Sequence, residues 1–203
     1  MKCYNGTRIS ESNKKMGEVG SFSTLPIVTC DKNAPCFKEC YAKRMCTFRK
    51  SVHDAWEVNT EMVRDERWAD IMDDVIDYVR FRHAKMFRWF VGGDIWKKDM
   101  FETMFMIADE CPECEFMAFT KCYDIIEEYT DIELPKNLHI VLSAWNGFQP
   151  SEDLKKRFPV CYYDDGSMAE SIPKDAKTCL GGCESCQECW KMTAGQSVRI
   201  YKH

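Results

Sequence analysis

The residues with the most reactive potential in this 203-residue chain are its thirteen cysteines, and two groups of them have spacings that suit metal chemistry. The first is Cys30-x5-Cys36-x3-Cys40, and the second is Cys179-x3-Cys183-x2-Cys186-x2-Cys189. An odd total argues against a disulfide framework, as does a start (Met1-Lys2-Cys3-Tyr4-Asn5-Gly6-Thr7-Arg8) without the apolar segment of a secretion signal. In a reducing interior such thiols stay reduced, and dense thiolates there serve naturally as metal ligands.

The C-terminal run places two CxxC steps on a tight loop, and Gly181-Gly182 let the backbone wrap a bulky inorganic core. Four thiolates complete the coordination of a [4Fe-4S] cluster. A structural zinc site uses similar spacings, and redox or inert thiols are a third reading. Cys161 can substitute for one of the four. In the N-terminal run, three close cysteines at the end of an expected first strand can ligate three irons of a [4Fe-4S] cluster and leave the fourth iron open to chemistry. Cys46, one or two helical turns past Cys40, is the alternative fourth ligand and would close that site; zinc is again the competing metal. Cys111-Pro112-Glu113-Cys114 with Cys122 makes a third thiol group. Redox exchange, a third metal and plain burial all fit it, because a lone CxxC is a weak signal.

Elements that can position these residues are legible in the hydrophobic pattern. The first 25 residues are polar and glycine-punctuated, as in an arm or short edge hairpin, and Ser23 to Thr29 reads as an extended approach to Cys30. Trp68, Ile71, Met72, Val75, Ile76 and Val79 repeat at helical spacing, whereas Ser51 to Arg64 is a weaker helical stretch. Strands are expected at 86–91, 115–120, 139–143 and 159–163, with helices from Ile95 through Ile107, over 123–129, and over 151–157 with Ser151 as cap. Short apolar strands alternating with helices indicate a parallel sheet covered by helices. Only four or five such units are visible, so the expected α/β fold is an incomplete TIM-type barrel over residues 1–165, with residues 166–203 as a cysteine-rich cluster-binding extension.

Strand ends of such a sheet point to one mouth. Gly92-Gly93-Asp94 follows the second strand, where the missing Cβ groups allow close approach and the carboxylate can meet a ligand ammonium; Asp94 is equally suited to cap a helix starting at Ile95. Lys121 and Ser143 follow the next two strands. They are candidates to pair with a carboxylate and to donate a hydrogen bond, or else ordinary loop residues. Trp89, Trp96, Trp145 and Trp190 are expected mainly to pack and to shield cluster sulfurs.

Leu25-Pro26, Thr29-Cys30, Cys36, Cys40-Tyr41-Ala42, Gly92-Gly93-Asp94, Phe119-Thr120-Lys121, Leu142-Ser143 and Gly182-Cys183-x2-Cys186-x2-Cys189-Trp190, followed by Val198 to His203, resemble the phage gene product 88 family. That family looks like a compact, divergent relative of the radical S-adenosylmethionine enzymes. The resemblance implies an incomplete strand–helix barrel, a cluster held by Cys30, Cys36 and Cys40, and a second-strand motif, Gly92, Gly93 and Asp94, that helps hold the amino group of S-adenosylmethionine at the open iron. The spacing here is five then three where three then two is usual in those enzymes, and Asp stands where Glu is usual.

The functional expectation is a radical S-adenosylmethionine-like protein with two [4Fe-4S] clusters, which cleaves that cosubstrate reductively and modifies an unidentified substrate, nucleic acid or peptide included. An electron donor such as flavodoxin or ferredoxin would serve it. The alternative is a non-catalytic iron–sulfur or electron-transfer protein braced by its clusters. A balance of 28 Lys and Arg against 33 Asp and Glu, formally -5, points away from a polyanion-binding surface spread over the whole molecule. No stretch approaches the roughly 20 apolar residues of a membrane span. No membrane partner is expected, and the location expected is the cytoplasm, that of the host cell if the gene is a phage's.

Overall fold

The computed structural model describes residues 2–4, 6–167 and 171–201, so the terminal His203 lies outside the described residues. The chain opens with the expected small hairpin, β1 (Lys2–Tyr4) antiparallel to β2 (Thr7–Ile9). It then enters a larger sheet with β3 (Gly20–Phe22). A 3-10 turn at Pro35–Phe37 carries Cys36 and leads to α1 (Tyr41–Phe48), α2 (Lys50–Arg64) and α3 (Trp68–Arg82). After β4 (Met86–Trp89) come α4 (Lys98–Glu110), β5 (Glu115–Thr120) and α5 (Tyr123–Glu127). Next are β6 (Leu138–Ala144), α6 (Glu152–Arg157) and β7 (Val160–Asp164). The tail contributes β8 (Lys177–Thr178), α7 (Cys183–Cys186), a 3-10 turn at Glu188–Trp190 and β9 (Ser197–Tyr201).

Seven strands form one sheet in the order β3-β4-β5-β6-β7-β9-β8, and every pairing in it is parallel. The α/β class and the parallel sheet are therefore as expected, with more strands than the sequence pattern displays. Alternation along the strands divides the two faces. Phe87, Trp89, Phe116, Ala118, Leu138, Ile140 and Leu142 join the apolar stripes of α3 (Ile71, Val75, Val79) and α4 (Met100, Phe101, Met104, Ile107). On the opposite face, Met117, Val141, Cys161 and Val198 pack with Met16, Val19, Trp190 and Met192. The cysteine-rich tail thus covers the second face of the sheet, and the Trp190 indole donates to the Phe87 carbonyl at 3.1 Å.

Two local expectations are corrected. Residues 23–29 do not extend a strand: β3 ends at Phe22, residues 26–28 form a turn, and Ile27 has φ +75°. Pro26 fixes the backbone for the turn, and the strand preference of Ile27-Val28 yields to it. The helix expected from Ile95 begins at Lys98 with Lys97 as its cap, so Asp94 caps no helix. Ser151 does cap α6, its hydroxyl accepting from the Leu154 N–H at 3.3 Å. Among the described residues no helix is long and apolar enough to cross a membrane.

Candidate metal centre

The segment before Cys30 and the loop after β4 are built as one hydrogen-bonded body. Ser23 Oγ accepts the N–H groups of Val91 (3.0 Å) and Gly92 (3.4 Å), and the Thr24 N–H donates to the Gly92 carbonyl at 3.0 Å. The hydroxyls of Thr24 and Thr29 share a 2.8 Å bond, and Thr29 Oγ1 also accepts the Asp94 N–H at 3.4 Å. From α2, Thr60 Oγ1 accepts the Leu25 N–H and Asn59 Nδ2 donates to the Ser23 carbonyl, each at 2.8 Å.

Both glycines of the loop are required by this packing. Gly93 sits at φ +84°, and a Cβ there would lie 2.0 Å from Thr24 Oγ1 and 2.7 Å from Thr29 Oγ1. At Gly92 a Cβ would lie 2.2 Å from the Trp56 ring. That ring is shared: Ala42, Ala55 and Trp56 pack with Leu25, Cys40, Cys46 and Val91. Tyr41, in the Cys-Tyr-Ala step, donates its hydroxyl to the Val91 carbonyl at 2.6 Å. The exit of the cysteine loop is therefore pinned to the same strand end as the Gly-Gly-Asp turn.

Asp94 has a fully buried side chain and Lys121 is 16% exposed. Asp94 Oδ2 accepts from the backbone N–H of Lys121 at 3.1 Å and from its Nζ at 3.2 Å, while Oδ1 accepts the Ile95 N–H at 2.8 Å. Burial opposes the ammonium charge, but Asp94, then Cys36 and Cys30, hold the Lys121 pKa above its ordinary value. Cys30 is pushed up to about 12 by burial and by Asp94, against a backbone hydrogen bond from Ile27 and the charge of Lys121. Burial also raises Cys36, again opposed by Lys121. Such sulfurs keep their protons until a metal displaces them, which is the coupling that metal binding to thiols requires.

Beside Cys30 lies a cleft of about 210 Å³ lined by Thr29, Asp31, Ile95, Trp96, Cys122 and Asp124 among others. A larger depression, about 690 Å³, lies between α3 and α4; its lining of Asp73, Asp77, Asp109 and Glu110 with Arg80 includes no thiol and no strand-end residue. Of the four tryptophans expected to pack or wall a site, Trp96 lines the cleft, Trp89 and Trp190 are buried in the two faces of the sheet, and Trp145 packs at a tilt against Tyr163.

The fold brings Cys30, Cys36, Asp94 and Lys121 within electrostatic reach of one another, with Cys40 beside both cysteines and Gly92 and Gly93 forming the turn beneath. Ser143 lies one strand further on, buried, and its carbonyl accepts the hydroxyl of Tyr123. Tyr123 was not legible as a site residue; burial raises its pKa, with Lys121 opposing and Asp94, Asp31 and Cys36 adding. Ser23, Thr24, Thr29, Tyr41 and Trp56 were also missed as supports. Thr29 and Tyr41 flank Cys30 and Cys40 directly, and that adjacency was the available signal.

The C-terminal thiols gather on the other face of the sheet. Cys179 follows β8 and donates its N–H to the Arg199 carbonyl at 2.8 Å, Cys183 and Cys186 begin and end α7, and Cys189 lies in the following turn. Cys179, Cys183 and Cys189 pack against the apolar group that holds Cys161, whereas Cys186 is exposed. Cys189 is pushed up to about 12 by burial, then by Cys179 and Cys183, with Arg88 opposing. Cys161 is raised by burial, then by Cys189 and Cys179, and both Lys121 and Arg88 oppose. The charge of Lys121 therefore reaches both thiol groups.

The third group is separate. Cys111 and Cys114 are fully buried, and Asn137 Nδ2 donates to the carbonyls of Ala108, Cys111 and Cys114 at 2.9, 3.0 and 2.9 Å. Cys122 instead borders the cleft beside Cys30. Among the described residues, the ligand atoms that approach within 4.8 Å of one another as a set of three belong to His53, Asp54 and Glu57 on the exposed side of α2, not to cysteines.

A parallel α/β sheet with a three-cysteine loop, a Gly-Gly-Asp turn and a buried lysine at its strand ends, and thiols under its tail, defines a cysteine-rich α/β protein with a candidate metal centre. The family model described as gene product 88 matches residues 5–149, most of the chain, and the protein belongs to that family. The matched region contains Cys30, Cys36, Cys40, the 92–94 turn, Lys121 and Ser143, and it ends before Cys161 and the C-terminal run. No curated protein and no solved structure matches the chain.

Proposed function

We propose that this is an iron–sulfur protein of the radical S-adenosylmethionine kind, its sheet a partial TIM-type barrel, with a [4Fe-4S] cluster on Cys30, Cys36 and Cys40 and a second on the C-terminal thiols. The observation that carries the reading is the convergence of Cys30, Cys36, Asp94 and Lys121 beside the Gly92-Gly93 turn. Ligand sites of parallel α/β sheets lie at this carboxyl end of the strands.

The donor set suits a cluster. Lys121 offsets the negative charge of thiolate ligands, and the Ile27 backbone hydrogen bond to Cys30 is the kind that tunes cluster potential. When bound, such a cluster supplies the electron that cleaves the carbon–sulfur bond of S-adenosylmethionine. The chain's own residues orient and enclose. Asp94 and Lys121 offer opposite charges to the ammonium and carboxylate of an amino-acid moiety, which would exchange into an existing ion pair. Ile95 and Trp96 wall the cleft against water. A reduced flavodoxin or ferredoxin would be the electron donor, with the substrate, nucleic acid or peptide included, open.

Electron paramagnetic resonance of the reduced protein tests this: added S-adenosylmethionine shifts one cluster signal, and Cys36→Ala removes that signal. A spectrum indifferent to the cosubstrate rejects the catalytic reading. One observation favours the second reading, a closed and non-catalytic cluster: Cys46 on α1 packs with Cys40 against Trp56. Under it Cys46→Ala loses iron, whereas an open site keeps its iron in that variant.

A further inference from the structure

Arg88 is placed oddly for an arginine. It lies on β4 between Phe87 and Trp89, which point to the helices, so its own side chain lies on the face covered by the tail. Its guanidinium stands 5.4 Å from the centroid of Phe119, and Nη1 meets the Met16 thioether at 3.5 Å. Its Nε is buried and has no hydrogen-bond partner among the described residues. A half-buried guanidinium whose Nε is buried among apolar side chains and a thioether favours an anion beside it.

The charge of this cation reaches Cys161 as well as Cys189 of the run. Cys161, on β7, is 5% exposed and belongs to the same apolar group as Met16, Met117 and Trp190, with Cys179, Cys183 and Cys189 packed on it. Cys186 closes α7 on the solvent side and is exposed. Cys186 thus stands outside the packed group that Cys179, Cys183 and Cys189 join, and β7 brings a buried sulfur, Cys161, into that group.

We infer that the second cluster is held by Cys161, Cys179, Cys183 and Cys189, with Cys186 outside the ligand set and Arg88 as the half-buried cation that offsets the cluster's charge. The inference rests on the iron–sulfur reading above and adds to it a structural consequence. A ligand from β7 staples the tail to the sheet, so cluster and fold are completed together.

The test uses the full chain, purified anaerobically, with Cys30, Cys36 and Cys40 all changed to Ala so that only the second site can hold iron. This variant is expected to keep about four irons and four sulfides per chain, the content of one cubane. Adding Cys186→Ala leaves that content unchanged, and adding Cys161→Ala or Cys161→Ser removes most of it; circular dichroism of the Ser variant checks that the fold survives. Arg88→Met shifts the midpoint potential of this cluster to more negative values, because the reduced, more negative form loses its cation, and Arg88→Lys restores much of the shift. Loss of iron with Cys186→Ala and retention with Cys161→Ser overturns the assignment. A triple variant without iron, from a parent that holds about four irons per chain, also overturns it while leaving the N-terminal site standing; a parent without iron refutes the underlying reading itself.

Discussion

Gly93→Ala should destabilise the protein through one identifiable neighbour. At φ +84° an alanine costs about 1–2 kcal/mol, because its Cβ crowds the carbonyl in the left-handed region. That Cβ would lie 2.0 Å from Thr24 Oγ1, so the threonine must turn away and give up its bond to Thr29, worth about 1 kcal/mol. The lower freedom of alanine in the unfolded chain returns about 0.4–1 kcal/mol. The net loss is about 2 kcal/mol, read from urea unfolding followed by tryptophan fluorescence under anaerobic conditions. Thr24→Ala alone loses the same hydroxyl pair, about 1 kcal/mol. In the double variant that loss is counted once, so the two single effects overshoot it by about 1 kcal/mol. Gly93→Ala within about 0.5 kcal/mol of the parent, or strict additivity in the double variant, would refute the claim that Thr24 and Gly93 form one packed unit.

Three further outcomes follow from the same contacts. Asn137→Ala strips three buried carbonyls of their shared donor and should cost about 2–4 kcal/mol in the same unfolding assay. Asp74 is buried, with one oxygen on the Thr7 N–H at 2.8 Å and the other without a partner among the described residues, and burial raises its pKa above the ordinary carboxylate value. Its native form therefore binds protons more tightly than its unfolded form, and stability falls as pH rises from about 3.8 through the raised value; Asp74→Asn should flatten that slope in pH-resolved unfolding. Replacing Cys111 and Cys114 together with Ala should leave iron content unchanged, because both are buried at the far end of β5 from the strand-end site.

Much of the fold was legible because its strands are apolar and its helices periodic. β4 to β7 and the helices α3, α4 and α6 all lie where the pattern places them, within a few residues. The strands that were missed draw their pairing from neighbours. Gly20–Phe22 is short, and Gly20 is fixed by the Tyr78 ring, which a Cβ would approach to 2.3 Å. Ser197–Tyr201 alternates polar and apolar residues weakly and becomes a strand through its register with β7. At the site, the cysteines, the two glycines, Asp94 and Lys121 stood out by type and position. Their supports did not, because a hydroxyl network such as Ser23, Thr24 and Thr29 is assembled from loops that meet only in three dimensions. Arg88 was missed for the converse reason. A charged residue between apolar neighbours on a strand reads as solvent-facing until the tail is seen to cover that face.

The most direct measurement is the iron, acid-labile sulfide and zinc content of the anaerobically purified chain. Two thiol-held cubanes correspond to about eight irons and eight sulfides, with little zinc. About one zinc per chain with no sulfide would contradict the account at its root.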